Sequence, residues 1–229
     1  MSRRFAIYAA PAPDHPLWRF GSSLLGWDAA GVASVPFRPD RPADDATWFA
    51  WTAEPRVYGF HGTLKAPFRL RDGMGQAELE DLAASLAARL SPVTIPRLEV
   101  ARLGSFVALV PAEPCPPLQA LASACVEGFE PVRAPLNATE MEKRLKAPLT
   151  ERQRALLEGY GYPYVLDQFR FHMTLTGRLP PDEGERVRAR LADLHARLDP
   201  SLGVDALVLF VQDAPGERFR IAKRFALRG

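Results

Sequence analysis

Cysteine is nearly missing: 229 residues hold only Cys115 and Cys125, with no Cys-x-x-Cys pair. That excludes a disulfide framework and a zinc knuckle, leaves both cysteines as bystanders, and makes a reducing compartment the expectation. No apolar run approaches the roughly 18 residues of a membrane span. The opening Met1-Ser-Arg-Arg-Phe-Ala-Ile-Tyr carries two arginines, but Pro11, Pro13 and Asp14 cut its apolar stretch too early for a signal peptide. A cytoplasmic location without a membrane partner is expected. Charge of one sign is also lacking, with 29 Lys and Arg against 27 Asp and Glu. Near balance argues against a surface that coats nucleic acid and leaves room for a local basic pocket. There is no Gly-x-x-x-x-Gly-Lys-Ser/Thr loop, which counts against an ATP-driven kinase or ligase. No His-x-His-x-Asp or His-Glu-x-x-His cluster occurs either, so neither a cofactor nor a metal is expected.

What is present fits a globular chain: 47% hydrophobic and 24% charged residues are enough for one sizeable core. A shift of 101 positions lays the first third on the middle: Phe5 on Phe106, Pro13 on Pro114, Pro16 on Pro117, Leu17 on Leu118. Both segments read as a short strand (Phe5 to Ala10; Phe106 to Val110), a Pro-rich turn and a helix, Pro being favoured near a helix start. Each half then reaches a strand containing His-x-Thr-Leu: Phe60-His61-Gly62-Thr63-Leu64 and Phe171-His172-Met173-Thr174-Leu175. A helix follows each, about 76–90 with Leu79, Leu82, Ala83, Leu86 and Leu90 in a stripe, and about 183–198 with Val187, Leu191, Leu194 and Leu198. Further strands are expected around 94–103 and 204–211. The distance from opening Phe to motif His is 56 positions in one half and 66 in the other, an insertion of about ten residues. The chain thus reads as one domain of two pseudo-symmetric lobes, about 4–103 and 105–211, with a last strand at 218–227.

Alternation along a strand separates two faces. Phe60, Leu64, Ala66, Phe68 and Leu70 share one face of the first motif strand; His61, Thr63, Lys65, Pro67 and Arg69 share the other. In the second, Phe171, Met173, Leu175 and Leu179 oppose Arg170, His172, Thr174, Thr176 and Arg178. For a single His-x-Thr the simplest reading is a solvated sheet face. Two copies in matching contexts, using two of only four histidines, point instead to a shared wet cleft. Two imidazoles on either side of a phosphodiester can serve as base to water and acid to the leaving oxygen. Thr63 and Thr174 can donate to non-bridging phosphate oxygens, and Lys65, with Arg69 or Arg178, can offset charge in the transition state.

At these residues the chain resembles the two-histidine phosphoesterase superfamily. The stretches Tyr58-Gly-Phe-His-Gly-Thr-Leu-Lys-Ala-Pro-Phe-Arg-Leu70 and Phe169-Arg-Phe-His-Met-Thr-Leu-Thr-Gly-Arg-Leu179 are similar to a branch of phosphonate-metabolism proteins linked with carbon–phosphorus lyase genes. The resemblance implies an α+β, duplicated two-lobed fold with two mainly antiparallel sheets around a concave central cleft, helices outside. It implies hydrolysis of a cyclic or linear phosphodiester by His61 and His172, with Thr63 and Thr174 on the phosphate. The substrate would be a small phosphodiester or nucleotide-like molecule; a ribose cyclic phosphate is the leading case. RNA-end processing or end joining, and a non-catalytic nucleotide- or RNA-binding module, are the alternatives. No obligate protein partner is inferred.

Other residues read more plainly. His15, before Pro16, and His195, in a charged helix, are expected to be structural or solvated rather than catalytic. Tyr8 lies opposite Phe5 and Ile7 on its strand, so the cleft and ordinary packing are both open to it. Tyr160, Tyr162 and Tyr164 suit loop packing, with stacking on a base or sugar as the alternative. The mixed charges of Glu140–Lys146 suit a solvated helix, with a substrate lid as the alternative.

Overall fold

The computed structural model describes residues 3–146 and 148–229. Among them are nine strands, β1 (Arg4–Ala9), β2 (Gly62–Phe68), β3 (Val93–Ile95), β4 (Leu98–Leu103), β5 (Phe106–Pro111), β6 (Met173–Thr174), β7 (Leu202–Val204), β8 (Ala206–Gln212) and β9 (Arg220–Ala226). Eight α-helices accompany them: α1 (Pro16–Leu25), α2 (Asp45–Trp51), α3 (Ala53–Tyr58), α4 (Gln76–Ala87), α5 (Pro116–Gly128), α6 (Ala138–Leu145), α7 (Glu151–Tyr160) and α8 (Gly184–His195). This is an α+β fold in which every pairing is antiparallel.

Seven strands form one sheet in the order β4-β5-β6-β2-β1-β8-β9, and β3 with β7 forms a small second one. The sheets expected on either side of a cleft are therefore joined, through the β2–β6 pair. Strands of the two expected halves are also interleaved in this sheet. Gly104, at φ +63°, closes a two-residue turn with Ser105 and makes β4 pair with β5 instead of with its own half. Conversely β8, which follows α8, pairs with β1. All seven β8 residues are buried, as suits an inner strand whose apolar residues run almost without interruption.

Helices cover the sheet: α4 packs on β8 and β9, α5 on β2, and α8 on β4 and β5. The expected stripes hold, with Leu79, Ala83 and Leu86 of α4 and Val187, Leu191 and Leu194 of α8 buried in one continuous core. Helix starts follow local chemistry. His15 caps α1, its Nδ1 accepting from the Leu17 N–H at 3.1 Å, with Pro16 at the first helical position. His195 is buried in α8 beside Phe20. Both of these histidines are structural. The short α2, α3 and α7 carry no long apolar stripe, and periodicity alone does not announce them.

Candidate active site

The two motifs cross at their central residues. The only β2–β6 pair is Gly62↔Met173, the x of each His-x-Thr. In an antiparallel register that places His61 opposite Thr174 and Thr63 opposite His172, all four on one face, since opposing residues share a face with Cβ atoms about 4.5–5.5 Å apart. The crossing needs Gly62 for space: a Cβ there would lie 2.3 Å from Cε2 of Phe171, the residue just before His172. These four side chains line a single open cleft of about 450 Å³.

Both imidazoles are anchored in the same way. His61 Nδ1 lies 2.9 Å from the Gly59 carbonyl, and His172 Nδ1 lies 2.9 Å from the Arg170 carbonyl, each two residues back. A carbonyl can only accept, so Nδ1 carries the proton and Nε2 of each neutral ring is left as an acceptor. Gly59, at φ +76° and ψ −179°, takes an extended positive-φ conformation that favours glycine, and this aims its carbonyl. His61 Nε2 is 3.1 Å from the Thr63 hydroxyl, which donates to it. The His61 ring stacks on Tyr8, with centroids 3.6 Å apart. Burial lowers the His61 pKa from 6.5 to about 4; the Gly59 carbonyl opposes this, and nearby His172 adds to it.

Of the other anticipated residues, Tyr8 and Arg178 line the cleft. Thr176 borders it too, but it is fully buried and its hydroxyl oxygen accepts from the Val107 N–H at 3.0 Å. That bond replaces a ladder bond at the point where β6 stops after two residues. Arg69 is elsewhere: its guanidinium grips Glu140 through two bonds of 3.1 and 3.0 Å and donates to the Pro135 carbonyl, docking α6.

Lys65 requires a correction. The β1–β2 pairing slips by one residue between Ile7↔Lys65 and Tyr8↔Thr63. Ile7 and Tyr8 face opposite sides of β1, so Lys65 goes with Ile7 toward the helices while Thr63 goes with Tyr8 toward the cleft. Lys65 is 4% exposed, bonded to the Val126 carbonyl at 2.7 Å and to Glu130 at 3.0 Å. It is a structural ion pair. Lys65→Met should leave kcat/KM near wild type, because Glu130 keeps Arg133 as a partner. A loss of about 10²-fold, the scale of a removed transition-state contact, would return Lys65 to the cleft; steady-state kinetics decide.

Sequence reasoning missed Arg4, Tyr58 and Arg144, all of which line the cleft. Arg4 had a signal, since it shares a strand face with Tyr8. Arg144 had none, being delivered by α6 from the long connection and resting over the Tyr162 ring at 4.7 Å. Tyr162 lines the cleft as well, whereas Tyr164 borders an adjoining, more apolar cavity of about 320 Å³ with Phe106 and Phe169. Tyr160 packs against a small satellite core of Val126, Leu156 and Val165.

Residues 63–220 match the family described as "Protein of unknown function (DUF1045)". The chain belongs to that family. This DUF1045 chain is similar to two curated proteins named ribose 1,5-bisphosphate phosphokinase PhnN. One is from Janthinobacterium sp. (strain Marseille), 35% identical over 99% of the chain. The other is from Laribacter hongkongensis (strain HLHK9), 34% identical over 96%. The chain spans about half the length of these relatives, 51% of each. Solved structures of E. coli LigT are also similar. The complex with NADP+ has 18% identity and a TM-score of 0.43, covering 100% of this chain and 99% of that one. The complex with 3'-AMP has the same identity and TM-score, with full coverage of both.

Proposed function

We propose that this chain is a metal-independent phosphodiesterase that opens a cyclic phosphodiester on ribose with water. The carrying observation is the crossing of the two motifs at Gly62 and Met173, which sets two identically anchored imidazoles and two threonine hydroxyls around one cleft. His61, held neutral by burial, is the general base and takes a proton from water through Nε2. The water oxygen bonds to phosphorus, the P–O bond to the sugar breaks, and His172, which must enter the step as an imidazolium with its second proton on Nε2, donates that proton to the leaving oxygen and ends neutral. Thr63 and Thr174 hold non-bridging oxygens as negative charge builds.

The relatives' name supports the choice of substrate. A kinase acting on ribose 1,5-bisphosphate needs that sugar bisphosphate supplied. Hydrolysis of a cyclic phosphodiester spanning O1 and O2 of ribose 5-phosphate, with cleavage at O2, yields it. The apolar cavity beside the cleft, with Phe106, Tyr164 and Phe169, favours a second reading: cleavage of 2',3'-cyclic nucleotides, the base seated on the aromatic rings. A panel of ribose 1,2-cyclic and nucleoside 2',3'-cyclic phosphates, assayed with and without a chelator, tests both. Turnover unchanged by chelator is expected; saturable binding with no turnover anywhere would leave a binding module instead.

The pH dependence follows from His61. Below about 4 its Nε2 is protonated and cannot act as a base, so kcat/KM should fall as pH drops through that value. An acid limb near 6.5 in the pH–rate profile, assigned to His61 by NMR titration, would contradict this. Stability should move in the same direction. Between 6.5 and about 4 the unfolded chain binds a proton at His61 that the folded one does not, so stability declines as pH falls across that window.

A further inference from the structure

We infer that Arg4 and Arg144, with the hydroxyls of Tyr8, Tyr58 and Tyr162, form a second phosphate site in the same cleft, one that holds a terminal phosphate monoester of the substrate while His61 and His172 act on the diester. The inference deepens the phosphodiesterase reading and rests on it for the identity of the ligand.

The two arginines come from distant parts of the chain, β1 and α6, and both line the cleft. Arg4 is positioned from beneath. Its Nε donates to the Gln212 side chain at 2.7 Å, and buried Gln212 is itself fixed by a 2.7 Å bond to the Glu217 carbonyl. The Arg4 guanidinium lies over the Phe219 ring at 5.5 Å, and that of Arg144 over Tyr162 at 4.7 Å. Stacking and the Gln212 bond preorganise two planar forks suited to phosphate oxygens.

Neither arginine has a carboxylate partner among the described residues. Glu140, four residues before Arg144 on α6, is held by Arg69 in a two-bond grip. Both guanidinium groups therefore line one cleft with no carboxylate bonded to either, although Glu54 lines it too and the Glu140 carboxylate feels the Arg4 charge. The tyrosines supply neutral donors. Burial raises the Tyr8 and Tyr162 phenols above their ordinary pKa, so both keep their protons. This group sits around the His61 ring: Tyr8 stacks on it at 3.6 Å and Tyr58 is 6.4 Å away. The 5-phosphate and the cyclic diester of one sugar would then be held by different groups of the same cleft; an inorganic or lone cyclic phosphate occupies only one site.

The test compares the 1,2-cyclic phosphate of ribose 5-phosphate with the same cyclic phosphate lacking the 5-phosphate. Wild type should prefer the first in kcat/KM. Arg4→Gln and Arg144→Gln should each shrink that preference by about 10- to 100-fold, the worth of a charge-assisted contact. An undiminished preference in both variants, or no preference in wild type, overturns the inference while leaving the diesterase intact. Calorimetry with D-ribose 5-phosphate separates the two ideas if neither substrate turns over. Weakening by about tenfold or more in the arginine variants supports the site, and equal binding removes it.

Discussion

His61→Ala and His172→Ala should each lower kcat by about 10²- to 10⁴-fold, the range for removal of a general acid or base, with the fold retained. Each ring ends at the cleft and is anchored by a backbone carbonyl, and His61 also stacks on buried Tyr8. On the proposed reading truncation removes a proton carrier, and only His61→Ala also unstacks a buried ring, that of Tyr8. The two losses should not add. In the proposed reaction base and acid act in one transition state, so the double variant should be little slower than the worse single one. Near-normal turnover in either single variant would remove that histidine from the chemistry. Circular dichroism and thermal melting guard against a trivial loss through unfolding.

Gly62→Ala should lower both stability and rate although it changes no reacting group. The added methyl would sit 2.3 and 2.4 Å from Cε2 and Cζ of Phe171, far inside van der Waals contact. Phe171 is buried and directly precedes His172, so relief must move either the β2–β6 pair or the second histidine. Overpacking of this kind costs about 1–3 kcal/mol, or roughly 2–12 °C in Tm for a chain of this size. A shift of about 1 Å in a catalytic group can cost about 10²-fold in rate. Phe171→Leu in the same chain opens the space and should restore part of both losses, a coupling that a double-mutant cycle reads directly. Independent, additive effects would mean that the motifs are not packed on each other.

Much of this was written locally and some was not. The apolar stripes of α4 and α8, the strand faces of β1 and the paired His-x-Thr motifs depend on residues near in sequence, and each is where its pattern places it. Lys65 and Arg69 were misread because alternation presumes an unbroken register. The slip between Ile7↔Lys65 and Tyr8↔Thr63 turns Lys65 over, and Arg69 lies past the end of β2, free to bond Glu140. Thr176 shares a face with His172 in sequence, but once its hydroxyl is taken by Val107 it holds β5 to the second motif. Arg144 was invisible because its place depends on that same Arg69–Glu140 contact, 71 positions apart. Which strands belong together was likewise hidden in a turn of two residues, Gly104-Ser105.

One experiment reaches the centre of the account: a crystal structure of the protein soaked with vanadate, a mimic of the five-coordinate phosphorus. The account predicts one vanadium centre with oxygens in hydrogen-bond reach of Nε2 of both His61 and His172 and of the Thr63 and Thr174 hydroxyls. Vanadate bound against only one of the histidines, or away from both, would contradict it.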